Sequence, residues 1–153
     1  MISIEVVSEE KNWSKKIKKI DVFFTSICKY FPKKYKFINK KISFTLLLSN
    51  NKNIKRLNKR FRNKDKPTDI LSFPSEKKIK IKNKSYLGDI VISYNFMDKP
   101  KNQKIKLFKD KVIKTFIHGF LHLLSFDHIK LRDYKKMFKE EQNIYQSVIK
   151  KIN

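Results

Sequence analysis

Cysteine is almost absent: Cys28 is the only one in 153 residues, which rules out an intramolecular disulfide and any thiolate metal cluster. Its place on a helix is that of a small buried apolar residue. Long hydrophobic runs are missing too. Apolar stretches such as Leu46–Leu48, Phe116–Ile117 and Leu123–Leu124 fall far below the roughly 20 residues that span a bilayer. The start, Met1-Ile2-Ser3-Ile4-Glu5-Val6-Val7, alternates apolar and polar residues without a basic opening, an apolar core or a cleavage signal. A cytoplasmic protein with no membrane partner is therefore expected. Alanine does not occur at all, and there are two glycines and four arginines. Acids are scarce: 14 Asp and Glu face 38 Lys and Arg, a formal net charge of +24. Self-repulsion on that scale destabilises a compact chain unless a polyanion or salt offsets it. RNA is the obvious polyanion, but a bias toward Lys, Ile, Asn and Phe also follows from an AT-rich genome. Only charge clusters with a defined geometry therefore bear on function.

The length suits one domain, residues 1–153, with a single core that buries about two thirds of the unfolded surface. Residues 2–7 read as a half-buried strand. Residues 13–31 read as an amphipathic helix, with Trp13, Ile17, Ile20, Phe24, Ile27 and Phe31 on one face and Pro32 closing it. Residues 42–48 give the clearest strand, and Ser49-Asn50 then caps a helix over 51–61 whose core face is Ile54, Leu57 and Phe61. Residues 69–73 read as a strand stopped by Pro74. Residues 77–82 alternate Lys and Ile like an exposed hairpin arm turning at Asn83-Lys84, and 87–93 form another strand. A short helix before Pro100, a long buried helix over 104–124 and a polar one over 130–150 complete the chain. This order predicts an α/β fold in the broad sense (α+β in the strict one). A small mixed sheet with an antiparallel edge would pack against several helices.

All three histidines lie in one stretch, His118-Gly119-Phe120-Leu121-His122-Leu123-Leu124-Ser125-Phe126-Asp127-His128. At i and i+4 on a helix, His118 and His122 stand about 6 Å apart on one face. His128 returns to them only if the helix stops just after Leu124. On a helical wheel Phe108, Val112, Phe116, Phe120 and Leu124 form the apolar arc, and the two histidines lie beside it with Thr115 and Gly119. Such a flank suits ligands lining a cleft, and Gly119 admits another backbone at close range. A single histidine would more simply be a hydrogen-bonded structural group; three at this spacing point to a metal. Three neutral imidazoles without a fourth ligand describe an open zinc site, whose remaining position holds water of lowered pKa. The zinc-peptidase pattern H-E-x-x-H needs a glutamate base where this chain has Gly119. Phosphodiester cleavage instead asks for positive charge near the metal, from a group such as arginine.

The stretch His118–His128 resembles the H-G-x-L-H-L-x-G-Y-D-H signature of the YbeY family of bacterial rRNA maturation factors. Two further blocks agree with it. Leu57-Asn58 with Phe61-Arg62-Asn63-Lys64-Asp65-Lys66-Pro67-Thr68-Asp69-Ile70-Leu71-Ser72-Phe73-Pro74 is similar to the family's second motif, and Leu87-Gly88-Asp89-Ile90-Val91-Ile92-Ser93 to its third. The resemblance implies a single-strand-specific, metal-dependent endoribonuclease acting in 16S rRNA 3′-end maturation and ribosome quality control on the small subunit. It makes His118, His122 and His128 the ligands of one Zn2+, and Arg62 the arginine facing the metal cleft. A non-catalytic ribosome-assembly factor with a structural metal is the alternative. The chain departs from the signature at Ser125, where the family has Gly, and at Phe126, where it has Tyr. A left-handed Ser125 would cost about 1–2 kcal/mol. Asp127 either orients an imidazole or caps the last helix, the cap being preferred.

Three of the four arginines, Arg56, Arg60 and Arg62, sit in or just after the 51–61 helix. Lys52, Arg56 and Arg60 form one i, i+4 row and Lys55 with Lys59 another. Each like-charge pair costs about 0.2–0.5 kcal/mol, so the face suits RNA phosphates, although a solvated lysine face accounts for Lys52 and Lys55. Lys33-Lys34-Tyr35-Lys36-Phe37 mixes charge and aromatics as single-strand binders do, or is a loop before a strand. A monomer is expected.

Overall fold

The computed structural model describes residues 1–152. Strands β1 (Ile2–Ser8), β2 (Lys41–Ser49), β3 (Ile70–Pro74) and β4 (Lys84–Ser93) form one sheet in the order β1-β2-β4-β3. β1 runs parallel to β2 from Ile2↔Ile42 to Ser8↔Leu48, and β4 lies parallel on the other side of β2. β3 is antiparallel to β4 and supplies the edge. Alternation decides which side chains go inward: Ile42, Phe44, Leu46 and Leu48 of β2 are all buried, as the two-residue period of a strand dictates. At Gly88 (φ +128°) a Cβ would lie 2.1 Å from the carbonyl oxygen of Phe73, so only glycine lets β3 pair there.

Helices α1 (Asn12–Lys16), α2 (Ile20–Lys29), α3 (Asn51–Arg62), α4 (Tyr94–Met97), α5 (Ile105–Leu123) and α6 (Leu131–Ile152) cover the sheet. α5 is the central buried one. Its Phe116 meets Phe24 of α2 at 5.2 Å and Phe44 of β2 at 5.9 Å, and its Phe120 meets Phe44 at 5.7 Å. On the opposite face α3 packs Ile54 and Leu57 with Leu71, Phe73 and Val91. Strands β3 and β4 are thus sandwiched between α5 and α3. Among the described residues no helix is long and apolar enough to cross a membrane.

The expected helix over 13–31 is two helices. Ile17 is extended and Lys19 left-handed (φ 50°). The cause is packing against charge. Trp13 and Ile17 are both driven into the core, with the Trp13 indole N–H donating to the Ser49 carbonyl at 3.0 Å. A continuous helix would also stack Lys15, Lys16, Lys18 and Lys19 at repelling spacings. The expected hairpin arm over 77–82 forms no ladder. Its Ile79 and Ile81 pack on the core while the lysines stay in water, so the alternation reflects a segment laid on the surface. The antiparallel edge belongs to β3, and β4 begins at Lys84 instead of Leu87.

Candidate metal centre

Helix α5 presents its apolar arc to the sheet and leaves His118 and His122 half-buried on its flank. Gly119 between them lets the edge strand approach. A Cβ there would lie 2.5 Å from Ile70 Cδ1 and 3.2 Å from Ser72 Oγ, and the Ser72 hydroxyl donates to the Gly119 carbonyl at 3.1 Å. The helix then stops where the third histidine requires. The Phe126 N–H donates to the Leu121 carbonyl at 3.1 Å and the Ser125 N–H to that of His122 at 3.0 Å, the paired bonds of a Schellman ending. Ser125 occupies its left-handed position with φ 72°, so the serine keeps the turn that a glycine makes without strain. Its hydroxyl has a use as well: it accepts the Ile79 N–H at 2.9 Å and ties the 75–83 segment to this turn. Ser125→Ala loses that bond and retains the strain, whereas Ser125→Gly loses the bond but relieves the strain. Ser125→Gly is therefore expected to be the more stable of the two by about 1 kcal/mol in denaturant titration.

The turn aims the Phe126 carbonyl back at α5, where it accepts the Nδ1–H of His122 at 2.9 Å. Asp127 neither orients an imidazole nor caps α6. Its Oδ1 accepts the N–H of His128 at 2.6 Å and of Ile129 at 3.3 Å, a local turn that delivers His128 while α6 starts later, at Leu131. From α6 comes a group that sequence reading missed. Glu141 accepts the Nδ1–H of His118 at 2.8 Å. A carboxylate behind a metal-binding imidazole is a frequent arrangement, but nothing in the 23-residue separation of these two side chains marks Glu141 among its neighbours.

The outcome is a directed set of nitrogens. A carbonyl only accepts, so His122 carries its proton on Nδ1, and the carboxylate imposes the same on His118. Both Nε2 lone pairs then face each other at 3.1 Å, which is favourable only with a shared cation between them. In a tetrahedral zinc site with bonds of about 2.0–2.1 Å, ligand nitrogens lie about 3.3 Å apart. With exposed His128 the three offer ligand atoms within 4.8 Å of one another, and no Cys, Asp or Glu joins the group among the described residues. Burial and then the adjoining His118 hold His122 below the usual imidazole range, so it is neutral at pH 7, the form that binds metal. The residues fit a divalent ion with one side open. Replacing Glu141 with glutamine is expected to weaken metal affinity about 10–100-fold, read by competition with a chromophoric chelator. An unchanged affinity would remove Glu141 from the site.

Arg56, Arg60 and Arg62 are exposed along and at the end of α3, on the face of the sheet opposite α5. The Arg60 guanidinium lies over the Phe61 ring at 5.2 Å. The Arg62 side chain makes no hydrogen bond or ion pair among the described residues. It does not touch the histidines; only its neighbour Phe61 reaches the strand that packs against α5. Ser72 of β3 touches Gly119 from one face, and the next residue, Phe73, meets Phe61 edge-on at 5.3 Å from the other. The loop after Arg62 is held by buried Asn58, whose amide donates to the Lys66 carbonyl at 2.8 Å.

The endoribonuclease YbeY family profile matches residues 5–149. The endoribonuclease YbeY of Pelagibacter ubique is 68% identical over 152 residues, 99% of both chains. That of Aquifex aeolicus is 33% identical over 110 residues, 72% of each chain. A solution structure from Thermotoga maritima superimposes with a TM-score of 0.58 at 26% identity, covering 95% of this chain and 89% of the other. With its histidine cluster inside the matched region, the chain belongs to the endoribonuclease YbeY family.

Proposed function

We propose that residues 1–153 are one metal-dependent endoribonuclease domain that cuts single-stranded RNA, acting as a cytoplasmic monomer on the small ribosomal subunit in 16S rRNA 3′-end maturation and ribosome quality control. Three imidazole nitrogens converging on a point with one open side carry this reading. The name shared by the relatives supports RNA as substrate. When bound, the metal, zinc by its donor set, supplies a Lewis acid and a water of lowered pKa. His118, His122 and His128 hold it through directed nitrogens, and Glu141 and the Phe126 carbonyl keep the first two rings turned inward. Arg62 grips the phosphate with a bidentate fork. Arg56 and Arg60, with the lysines of α3, hold the flanking strand by charge.

Incubating purified protein with a labelled single-stranded RNA, with and without chelator, tests the reading. Internal cutting that disappears with chelator and returns with Zn2+ is expected, with the matching duplex left intact. Tight binding to RNA that stays whole with metal present would replace the enzyme with a non-catalytic assembly factor.

A further inference from the structure

Helix α6 carries two aromatic rings that the core does not use. Tyr134 is 51% exposed and Phe138 50%; their planes lie within 13° of parallel, with centroids 6.3 Å apart. Met137, Ile144 and Val148 are the buried residues of this helix, so folding does not require the two rings where they are. Their spacing gives them a direction. Tyr134, Phe138 and Glu141 stand at i, i+4 and i+7 and share one helix face. Phe138 is about 4.5 Å and Tyr134 about 10.5 Å along the axis from Glu141, the carboxylate that holds His118 at 2.8 Å. The rings therefore continue the line of the metal centre along α6.

The surroundings select the occupant. Lys130, four residues before Tyr134, and Lys135, three before Phe138, are exposed beside the rings, as are Ile129 and Leu131; neither lysine forms an ion pair among the described residues. A protein-docking patch is depleted in lysine, whereas aromatic rings set in unpaired positive charge are the construction that holds a single strand, with bases stacking on rings and phosphates meeting cations.

We propose that Tyr134 and Phe138 form a base-stacking platform that seats nucleotides of single-stranded RNA beside the metal centre. The inference rests on RNA being the substrate of that centre. Duplex bases are already stacked on one another and offer no free faces to the rings, so the platform also supplies a physical basis for preferring single strands.

The test measures binding apart from cutting. A short single-stranded RNA carrying 2-aminopurine is mixed with zinc-loaded protein by stopped flow, and the fluorescence is read before cutting begins. Wild type is expected to quench the fluorophore. Tyr134→Ala and Phe138→Ala should each weaken binding about tenfold and restore the fluorescence, at unchanged zinc content and unchanged circular dichroism. Tyr134→Phe and Phe138→Tyr should bind as wild type. Tyr134→Leu and Phe138→Leu should bind as poorly as the alanine variants, because they keep apolar area but lose the π face. Equal binding and equal quenching by wild type and the double alanine variant would overturn the platform. So would unchanged oligonucleotide binding accompanied by lost capture of small ribosomal subunits, which would make the patch a protein contact. Quenching without any cleavage of unmodified RNA would keep the platform and refute the nuclease, so the two readings fail separately.

Discussion

Replacing His122 with alanine is expected to remove the metal and RNA cleavage in one step. Its Nε2 is 3.1 Å from that of His118, and its Nδ1–H is anchored on the Phe126 carbonyl, so no other side chain among the described residues can take its place in the group. His118 on α5 and His128 in the loop beyond it leave a weak, two-coordinate site. Zinc content should fall from about one per chain to near zero, and cleavage should drop to the level of chelated wild type. His122 is only half-buried, so the fold should survive with a loss of about 1 kcal/mol from the missing bond to Phe126. Elemental analysis and RNA cutting by the same preparation check this. Stoichiometric zinc with near-normal cutting in the variant would end the case for a catalytic metal here.

Arg62→Ala should separate chemistry from metal binding. Among the described residues the side chain belongs to no ion pair and to no group of candidate ligands, so metal content and stability should hold while kcat falls by about 100- to 1000-fold, the loss that follows removal of one preorganised charge from a transition state. Arg62→Lys is expected to recover little, because an ammonium cannot reproduce the planar two-point grip on a phosphate. Single-turnover kinetics with saturating enzyme would show the loss in the cleavage step. A fall confined to affinity would make Arg62 a strand-holding residue like Arg56 and Arg60, and no fall at all would take it out of the site.

The metal group was legible because its three members are close in sequence. A helical period and a stop after Leu124 suffice to bring them together, and the termination bonds at Ser125 and Phe126 supply that stop. The mixed sheet was legible too, from alternation in β2 and the punctuation around β3 and β4, but its edge was read from the wrong segment. Residues 77–82 carry the period of a strand without the pairing, because Ile79 and Ile81 bury against the core while no neighbouring strand is there to receive their amides. The break at 17–19 was hidden for a related reason. Helical spacing of Trp13 and Ile17 signals burial, yet two packed residues and a row of lysines leave the backbone free to turn between them. Glu141 and the Tyr134–Phe138 pair lay beyond reach, since both depend on how α6 docks, which no local pattern encodes.

The nearness of the three imidazoles in the chain also bears on how little of the fold an ion would need. Chain closure over so short a span carries little entropic penalty, and each doubling of span adds only about 0.6 kcal/mol. A divalent ion would therefore take all its protein ligands from α5 and the turn that ends it at Ser125. The distant α6 contributes no ligand and acts only through Glu141 behind the His118 ring.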